Sequence, residues 1–230
     1  SIIIPVFNEE KYISSLIKKL TKLNISKQII VVNDGSNDQT SEIINQYKNE
    51  IDKVYNHEKN LGKGAAIKTA QQFIDGDIVI IQDGDMEYDP NDYLNLINPI
   101  INKTTDVVYG SRVLGKKRYS SKNFTSKARI FFNHLLTILS NILYNQKLSD
   151  AHTCYKAFRS NFFKKIHLRE KDFAFCPEIT AKTSKLGISI SEVPIKYKGR
   201  SYNEGKKISI YDGFRAVYVL FKYKFFKWKK

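Results

Sequence analysis

Short runs of β-branched residues, Ile2 to Ile4, Ile29 to Val32 and Ile78 to Ile81, each empty into a polar turn. Between them apolar residues fall at helical spacing. Ile13, Leu16, Ile17 and Leu20 share one face while Lys18, Lys19 and Lys22 point away, and Ile43, Ile44 and Tyr47 form a second such face. Strand and helix alternating in this way specify an α/β chain with a mainly parallel sheet flanked by helices. A short strand is expected near Val54 and Tyr55, a third helix after the turn Gly62-Lys63-Gly64, and another strand in the stretch Asp106 to Arg112. Pro5 is expected to turn the chain after the first strand, and Asn8 to cap the following helix. Ligands of such sheets bind beyond the carboxyl ends of the strands. The segments Pro5 to Glu9, Asp34-Gly35-Ser36 and Asp83-Gly84-Asp85 are therefore expected to share one rim.

That rim is rich in carboxylates. The strand at 78–81 leads into Asp83, Asp85 and Glu87, with only Gly84 between the first two. Like charges that close are costly unless a cation lies between them. Oxygen ligands from one turn suit a hard divalent ion, Mg²⁺ or Mn²⁺, that completes its shell with phosphates. An Asp-Gly-Asp also suits a solvated turn, so these residues alone leave both readings open. Lys63 stands at a helix N-terminus, where a diphosphate would gain both the ammonium and backbone N–H groups; a solvated loop lysine is the other reading. The surrounding spacing is neither a Walker A nor a GxGxxG motif.

Charge is unevenly distributed along the chain. The total is +15, yet residues 1–110 carry 11 Lys and Arg against 16 Asp and Glu, whereas residues 111–195 carry 16 against 5. An acidic half followed by a basic one points to an anionic ligand or surface met by the second part. No recognised DNA or RNA motif accompanies the charge, which argues against nucleic acid as the partner. Cys154 and Cys176 lack the spacing of a disulfide framework or zinc site, and a reducing compartment is expected. His57, His134, His152 and His167 are scattered and read as structural or surface residues.

Two segments of the second half carry amphipathic signals. Residues 124–144 place Phe131, Phe132, Leu135, Leu136, Leu139, Ile142 and Leu143 at helical spacing, opposite Asn133, Thr137, Ser140 and Asn141. This stretch is too polar for a membrane span and suits either the core or a bilayer surface. The last residues repeat Phe214, Val217, Tyr218, Phe221, Phe225 and Trp228 beside Lys222, Lys224, Lys227, Lys229 and Lys230. A Lys-rich aromatic helix fits an anionic membrane surface, and equally a helix docked on the core with a solvated basic face.

The motifs IIIPVFNEE, VVNDGSNDQT, KNLGKGAAIKTA, IVIIQDGDMEYDP and VVYGSR stand in the order and spacing seen in family 2 glycosyltransferases of the GT-A fold. The chain resembles above all their dolichol-phosphate mannosyltransferase-like, polyprenyl-phosphate sugar transferase branch. The resemblance extends more weakly through SDAHTCYKAF, FAFCPEITAK and EVPIKYKGRSYNEGKKI. It implies a Rossmann-like GT-A domain over residues 1–208, with a nucleotide-sugar half at 1–110, an acceptor half at 111–208, and a basic aromatic helix at 209–230. It implies that Pro5, Phe7, Asn8 and Glu9 hold the nucleotide base, that Asp34 and Ser36 contact base and ribose, and that Lys63 approaches the nucleotide. Asp83 and Asp85 would be the DXD pair, Asp85 the metal ligand, Asp83 facing the donor's ribose or sugar while still near the ion, and Glu87 a further ligand where relatives commonly have Gln. Arg112 and Arg129 resemble arginines that hold acceptor phosphate or donor diphosphate. Arg200, Ser201, Lys206 and Lys207 resemble a loop that closes over the donor. The activity implied is inverting, metal-dependent transfer from a GDP- or UDP-linked sugar to a polyprenyl phosphate, by a peripheral protein at the cytoplasmic membrane face.

A lipid phosphate is already ionised near neutral pH and needs a cationic cradle rather than a base. A sugar hydroxyl as acceptor would need a carboxylate to take its proton, and Asp150 and Glu178 are the candidates. Asp150 reads equally as a cap or buried hydrogen-bond anchor.

Overall fold

The computed structural model describes residues 1–115, 124–200 and 210–226. Among these residues a sheet runs in the order β3-β2-β1-β4-β6-β5-β7. Its strands are β1 Ile2–Val6, β2 Ile29–Asn33, β3 Lys53–Asn56, β4 Ile78–Ile81, β5 Val107–Ser111, β6 Lys156–Arg159 and β7 Ile190–Pro194. The β-branched runs are buried on both faces, as a parallel sheet sandwiched by helices requires. Pairing of β1 with β2 and β4, of β2 with β3, and of β5 with β7 is parallel. The strand at Pro5 does not stop there, because the ring is buried inside β1 and pairing continues to Val6.

The one antiparallel strand in this sheet is β6, which lies between β4 and β5. Running the opposite way, it brings its N-terminal approach, residues 150–155, to the edge where the parallel strands end. Its sequence conceals it. Lys156 is wholly buried, with Nζ 3.3 Å from the centre of the Tyr109 ring and 3.2 Å from the Ala151 carbonyl. Burial pushes that ammonium down to about 8.

The helices are α1 Ile13–Lys22, α2 Thr40–Gln46, α3 Lys63–Ala70, α4 Tyr93–Ile101, α5 Phe124–Tyr144, α6 Ser160–Lys165, α7 Phe175–Lys185 and α8 Ile210–Phe225. The apolar face expected of α1 is the buried one. Asn8 does not cap α1. It sits at φ 50°, and its side chain instead accepts the Asn37 N–H at 2.9 Å, tying together the loops after β1 and β2. A smaller core of Tyr144, Ala174, Ala181, Val219, Leu220 and Tyr223 joins α5, α7 and α8. The tyrosine hydroxyl of Tyr144 donates to the Leu220 carbonyl at 2.6 Å.

Helix α5 is turned partly inside out. Thr137 and Ser140 are buried, whereas Phe131, Phe132, Leu135, Ile138 and Ile142 face solvent, the last at 74% exposure. The single apolar face expected over 124–144 is therefore split, with Leu139 and Leu143 packed against α7 and α8. Helix α8 behaves alike: Ala216, Val219, Leu220 and Tyr223 dock inward while Tyr211, Phe214, Tyr218, Phe221 and Phe225 point out. Among the described residues no helix is long and apolar enough to cross a membrane.

Candidate active site

The loops beyond β1, β2 and β4 meet as the sheet topology requires. Asp34 N–H donates to the Val6 carbonyl at 2.8 Å, Asn8 N–H to Ser36 Oγ at 2.9 Å, and Glu9 N–H to Thr40 Oγ1 at 2.8 Å. Gly84 lies close enough to Val6 that an added Cβ would stand 3.2 Å from its Cγ2. Pro5, Phe7, Asn8, Glu9, Asp34, Ser36, Asp83 and Asp85 thus share one rim.

Asp34 ties the rim to the neighbouring loop. It is buried, its Oδ1 accepts from His57 Nδ1 at 2.6 Å and Leu61 N–H at 3.0 Å, and its Oδ2 from Gly62 N–H at 2.7 Å. Both oxygens engage the 57–62 turn, so Asp34 fixes that turn beside the end of β2. His57 completes this clamp through Nε2, 2.9 Å from Thr69 Oγ1. The sequence signal for it was its place directly after β3, at a strand end. Gly35, at φ 69°, is required there because a Cβ would come within 2.4 Å of the Lys59 backbone.

Lys63 opens α3 and pairs with Asp83. Burial works against its ammonium, but Asp83, together with the nearby Cys154 and Cys176, holds it above the usual lysine range. The helix N-terminus itself is partly covered: Ala65 N–H already donates to the Lys171 carbonyl at 3.0 Å, and Gly64 lies against the Glu170 carbonyl. An incoming anion meets the Lys63 side chain more readily than the helix N–H groups.

Asp85 turns toward Glu9. Its Oδ2 accepts from Arg200 Nη2 at 2.7 Å, and Glu9 receives Nη1 at 2.9 Å and Nη2 at 3.2 Å. Asp85 Oδ1 accepts Glu87 N–H at 3.1 Å, across Met86 at φ 61°. A non-glycine residue held there stores backbone strain beside the carboxylates. Glu87 approaches the same arginine from its backbone side. Its two oxygens accept Tyr197 Oη and Arg200 N–H, each at 2.7 Å. Of the expected trio, Asp83 pairs with Lys63 while Asp85 and Glu87 both meet Arg200, where Glu9 joins them. Among the described residues no three His, Cys, Asp or Glu side chains stand close enough to enclose a metal.

Two carboxylates converging on one cation still fit Mg²⁺ or Mn²⁺, which bind through one or two carboxylates plus substrate phosphates. The guanidinium of Arg200 shows that the seat accommodates positive charge.

Arg112 is held by Asp150 through Nε at 2.7 Å and Nη2 at 2.8 Å, with the Arg112 N–H on the same carboxylate at 3.1 Å. Its guanidinium lies 5.3 Å from the Tyr197 ring centre, next to the acidic cluster. Burial alone would raise the Asp150 carboxyl, yet Arg112 holds it below the usual carboxylate range. Asp150 thus anchors Arg112, the second of the two readings its sequence position allowed. Glu178 lies deeper. It is 0% exposed and accepts the N–H groups of Arg169 and Glu170 at 2.8 and 2.9 Å and Tyr223 Oη at 2.9 Å, so no acceptor reaches it. Ser201, Lys206 and Lys207 lie outside the described residues, as does the side chain of Arg129.

Comparison with known proteins gives the family and the fold. The chain is 30% identical over 239 residues to the UDP-N-acetylglucosamine–dolichyl-phosphate N-acetylglucosaminyltransferase of Methanococcus voltae, covering 95% of this chain and 93% of that one. It is 29% identical to the dolichyl-phosphate beta-glucosyltransferase ALG5A of Trichomonas vaginalis, over 86% of this chain and 65% of the relative. In fold it matches glucosyl-3-phosphoglycerate synthase from Mycobacterium tuberculosis, solved in complex with Mn²⁺, uridine diphosphate and phosphoglyceric acid, with a TM-score of 0.73, 16% identity, and 98% of this chain and 78% of that one covered. The family model for glycosyl transferase family 2 matches residues 1–167, which include every strand of the rim described above. The chain is a glycosyltransferase and belongs to glycosyl transferase family 2.

Proposed function

We propose that the protein transfers a sugar, with inversion, from a nucleoside-diphosphate sugar to a polyprenyl phosphate at the cytoplasmic face of a membrane, with Mg²⁺ or Mn²⁺ as cofactor. In this reading residues 1–110 serve the donor and 111–208 the acceptor. The observation that carries it is the convergence of Asp85 and Glu9 on a single cationic group, flanked by the Lys63–Asp83 pair. Phe7, Asn8 and Ser36, on the loops after β1 and β2, would form the wall against which the base lies, with Pro5 supporting them from within β1 and uracil and guanine both admissible. A divalent ion at Asp85 would supply charge stabilisation to the departing diphosphate. Lys63 stands ready to supplement it, and the buried fork of Arg112, aimed by Asp150, presents a planar donor to a phosphate.

A lipid-phosphate acceptor is supported by the engagement of the two carboxylates considered as bases. Asp150 is engaged with Arg112 and Glu178 is sealed inside the fold, so neither proposed base serves a hydroxyl acceptor. A lipid phosphate, ionised on arrival, needs none. Names of the relatives point the same way, since both carry dolichyl phosphate as acceptor.

The outward faces of α5 and α8 support the membrane. Phe132 is 62% and Phe214 72% exposed, on adjacent helices that also pack Tyr144, Val219, Leu220 and Tyr223 inward, so each helix carries a second apolar face. Apolar rows of this kind, with Lys222 and Lys224 on α8 and basic residues following, suit the interface of an anionic bilayer.

Purified protein supplied with Mn²⁺, a polyprenyl phosphate and a panel of UDP- and GDP-sugars is expected to release nucleoside diphosphate and form a glycosylated lipid. A panel that yields no lipid product, or that glycosylates only hydroxyl acceptors, overturns the assignment.

A further inference from the structure

Arg200 reaches the acidic rim from outside the sheet. After β7 the chain passes back over the turn that carries Glu87, where Tyr197 and Tyr88 form an antiparallel bridge. Lys198 N–H donates to the Glu87 carbonyl at 2.9 Å, and the Glu87 carboxylate receives both Tyr197 Oη and the Arg200 N–H. These bonds fix the backbone of the segment. The guanidinium then projects between Glu9 and Asp85, with the Tyr12 ring centre 5.2 Å away and only 11% of the side chain exposed.

The oxygen that faces Arg200 is the one a metal would need. Asp85 Oδ1 is turned to the Glu87 N–H, which leaves Oδ2 to point into the cleft, and Oδ2 is bound to Arg200 Nη2 at 2.7 Å. A divalent ion takes lone pairs from its carboxylate ligands at about 2.0–2.1 Å for Mg²⁺. A guanidinium donating to the same oxygen and an ion coordinated by it exclude one another by distance and by charge. Removing Arg200 would take two charged donors from Glu9 and one from Asp85 in a partly buried setting, where like charges repel.

We propose that Arg200 is the resident cation of the metal seat: it neutralises Glu9 and Asp85 in the metal-free enzyme and must leave Asp85 Oδ2 before a divalent ion binds. This rests on the metal-dependent reading above. Glu87 is then a positioning residue, holding Arg200 at the seat rather than coordinating the ion itself. Metal affinity is set by competition with a tethered side chain, and the donor relieves that competition, because its diphosphate offers the displaced guanidinium another anion. Metal and nucleotide therefore bind with positive coupling, each raising the other's affinity by the same factor.

Mn²⁺ binding to the full chain, followed by electron paramagnetic resonance of the free ion, tests this without any turnover. If Arg200 occupies Asp85 about nine-tenths of the time, Arg200→Ala binds Mn²⁺ about tenfold more tightly than the parent in the absence of nucleotide. The coupling to UDP or GDP shrinks in the same variant. Arg200→Lys, which keeps the charge but not the fork, falls between the two, and Lys198→Ala, which removes a charge two residues away, changes little. If Arg200→Ala fails to fold, Arg200→Gln serves in its place. Parent protein that binds Mn²⁺ through Asp85 while Arg200→Ala and Arg200→Gln show equal or weaker affinity overturns this inference and leaves the proposed function standing. An absence of Mn²⁺ binding in the parent and every variant, with and without nucleotide, overturns both.

Discussion

Two clusters of carboxylates and cations occupy opposite roles in this molecule. At the rim, Glu9, Asp85 and Glu87 surround Arg200, and Asp83 pairs with Lys63. Beneath α8, Glu170 and Glu178 meet Lys182, Arg215, Lys222 and Tyr223. Residue types are the same in both. The carboxylates of the inner cluster are sealed: Glu178 is held by backbone N–H groups of residues 169 and 170 and by a lysine one helical turn on, and Glu170 by Arg215 and Lys222, each at 2.7 Å, whose own stems reach the surface. At the rim the carboxylates that meet Arg200 and Lys63 keep 7–15% exposure, against 0–2% for Glu178 and Glu170, and strand-end loops carry them. A buried carboxylate becomes a strut when every partner is built into the fold, and a site when its partner can be exchanged for a ligand.

The largest expected effect separates the two clusters directly. Glu178→Gln leaves Lys182 buried without its counter-charge and is expected to cost about 3–5 kcal/mol of folding stability, measured by urea unfolding; an unchanged midpoint would make Glu178 something other than a strut. Asp85→Asn should do the reverse. Turnover is expected to drop about 10²–10³-fold with a thermal midpoint close to the parent's, and a variant that unfolds readily would move Asp85 to the structural class.

Asp150 tests the border between the classes. Asp150→Asn keeps the shape but frees the Arg112 fork, and a displacement on the order of 1 Å is expected to lower turnover about a hundredfold. A larger loss in stability than in rate, read from paired unfolding and kinetic measurements, would class Asp150 with Glu178. Its pH behaviour follows from the depressed pKa. The Arg112–Asp150 pair contributes stability above the unfolded aspartate value of about 3.9, and that contribution is lost as pH falls through the lower folded value. Acid destabilisation of the parent should therefore be steepest between the unfolded value and the lower folded one, and Asp150→Asn should remove that part of the pH dependence.

The smallest effect concerns the outward helices. Phe132→Asp combined with Phe214→Asp is expected to weaken sedimentation with anionic vesicles about tenfold or more, given roughly 1.5–3 kcal/mol for each buried aromatic side chain, with little change in solution stability. Unaltered vesicle binding would remove these rows from the membrane.

What the sequence made legible were features whose cause is local. Ile29 to Val32 and Ile78 to Ile81 declare buried strands by composition, and the strand-end rule then assembles the rim from segments far apart in the chain. Strand β6 escaped because its inward lysine is masked by a neighbouring aromatic ring, a pairing visible only once β5 is beside it. The tie made by Asp34 was hidden because its partners His57, Leu61 and Gly62 arrive from another loop. Glu178 and Asp85 looked equally available as carboxylates, since burial depends on α8 closing over one of them. The destination of Arg200 was the least legible of all, because Glu9 lies 191 positions away in the chain.

The central claim is that the rim is an exchangeable cation seat for a nucleoside diphosphate. Calorimetric titration of UDP and GDP into the parent and Asp85→Asn, with Mn²⁺ and with a chelator, tests it most directly. One nucleotide is expected to bind the parent at least about tenfold more tightly with Mn²⁺, a difference of about 1.4 kcal/mol, and Asp85→Asn is expected to lose that enhancement. Nucleotide binding that is equally tight with chelator present, or an enhancement that survives in Asp85→Asn, would contradict the account.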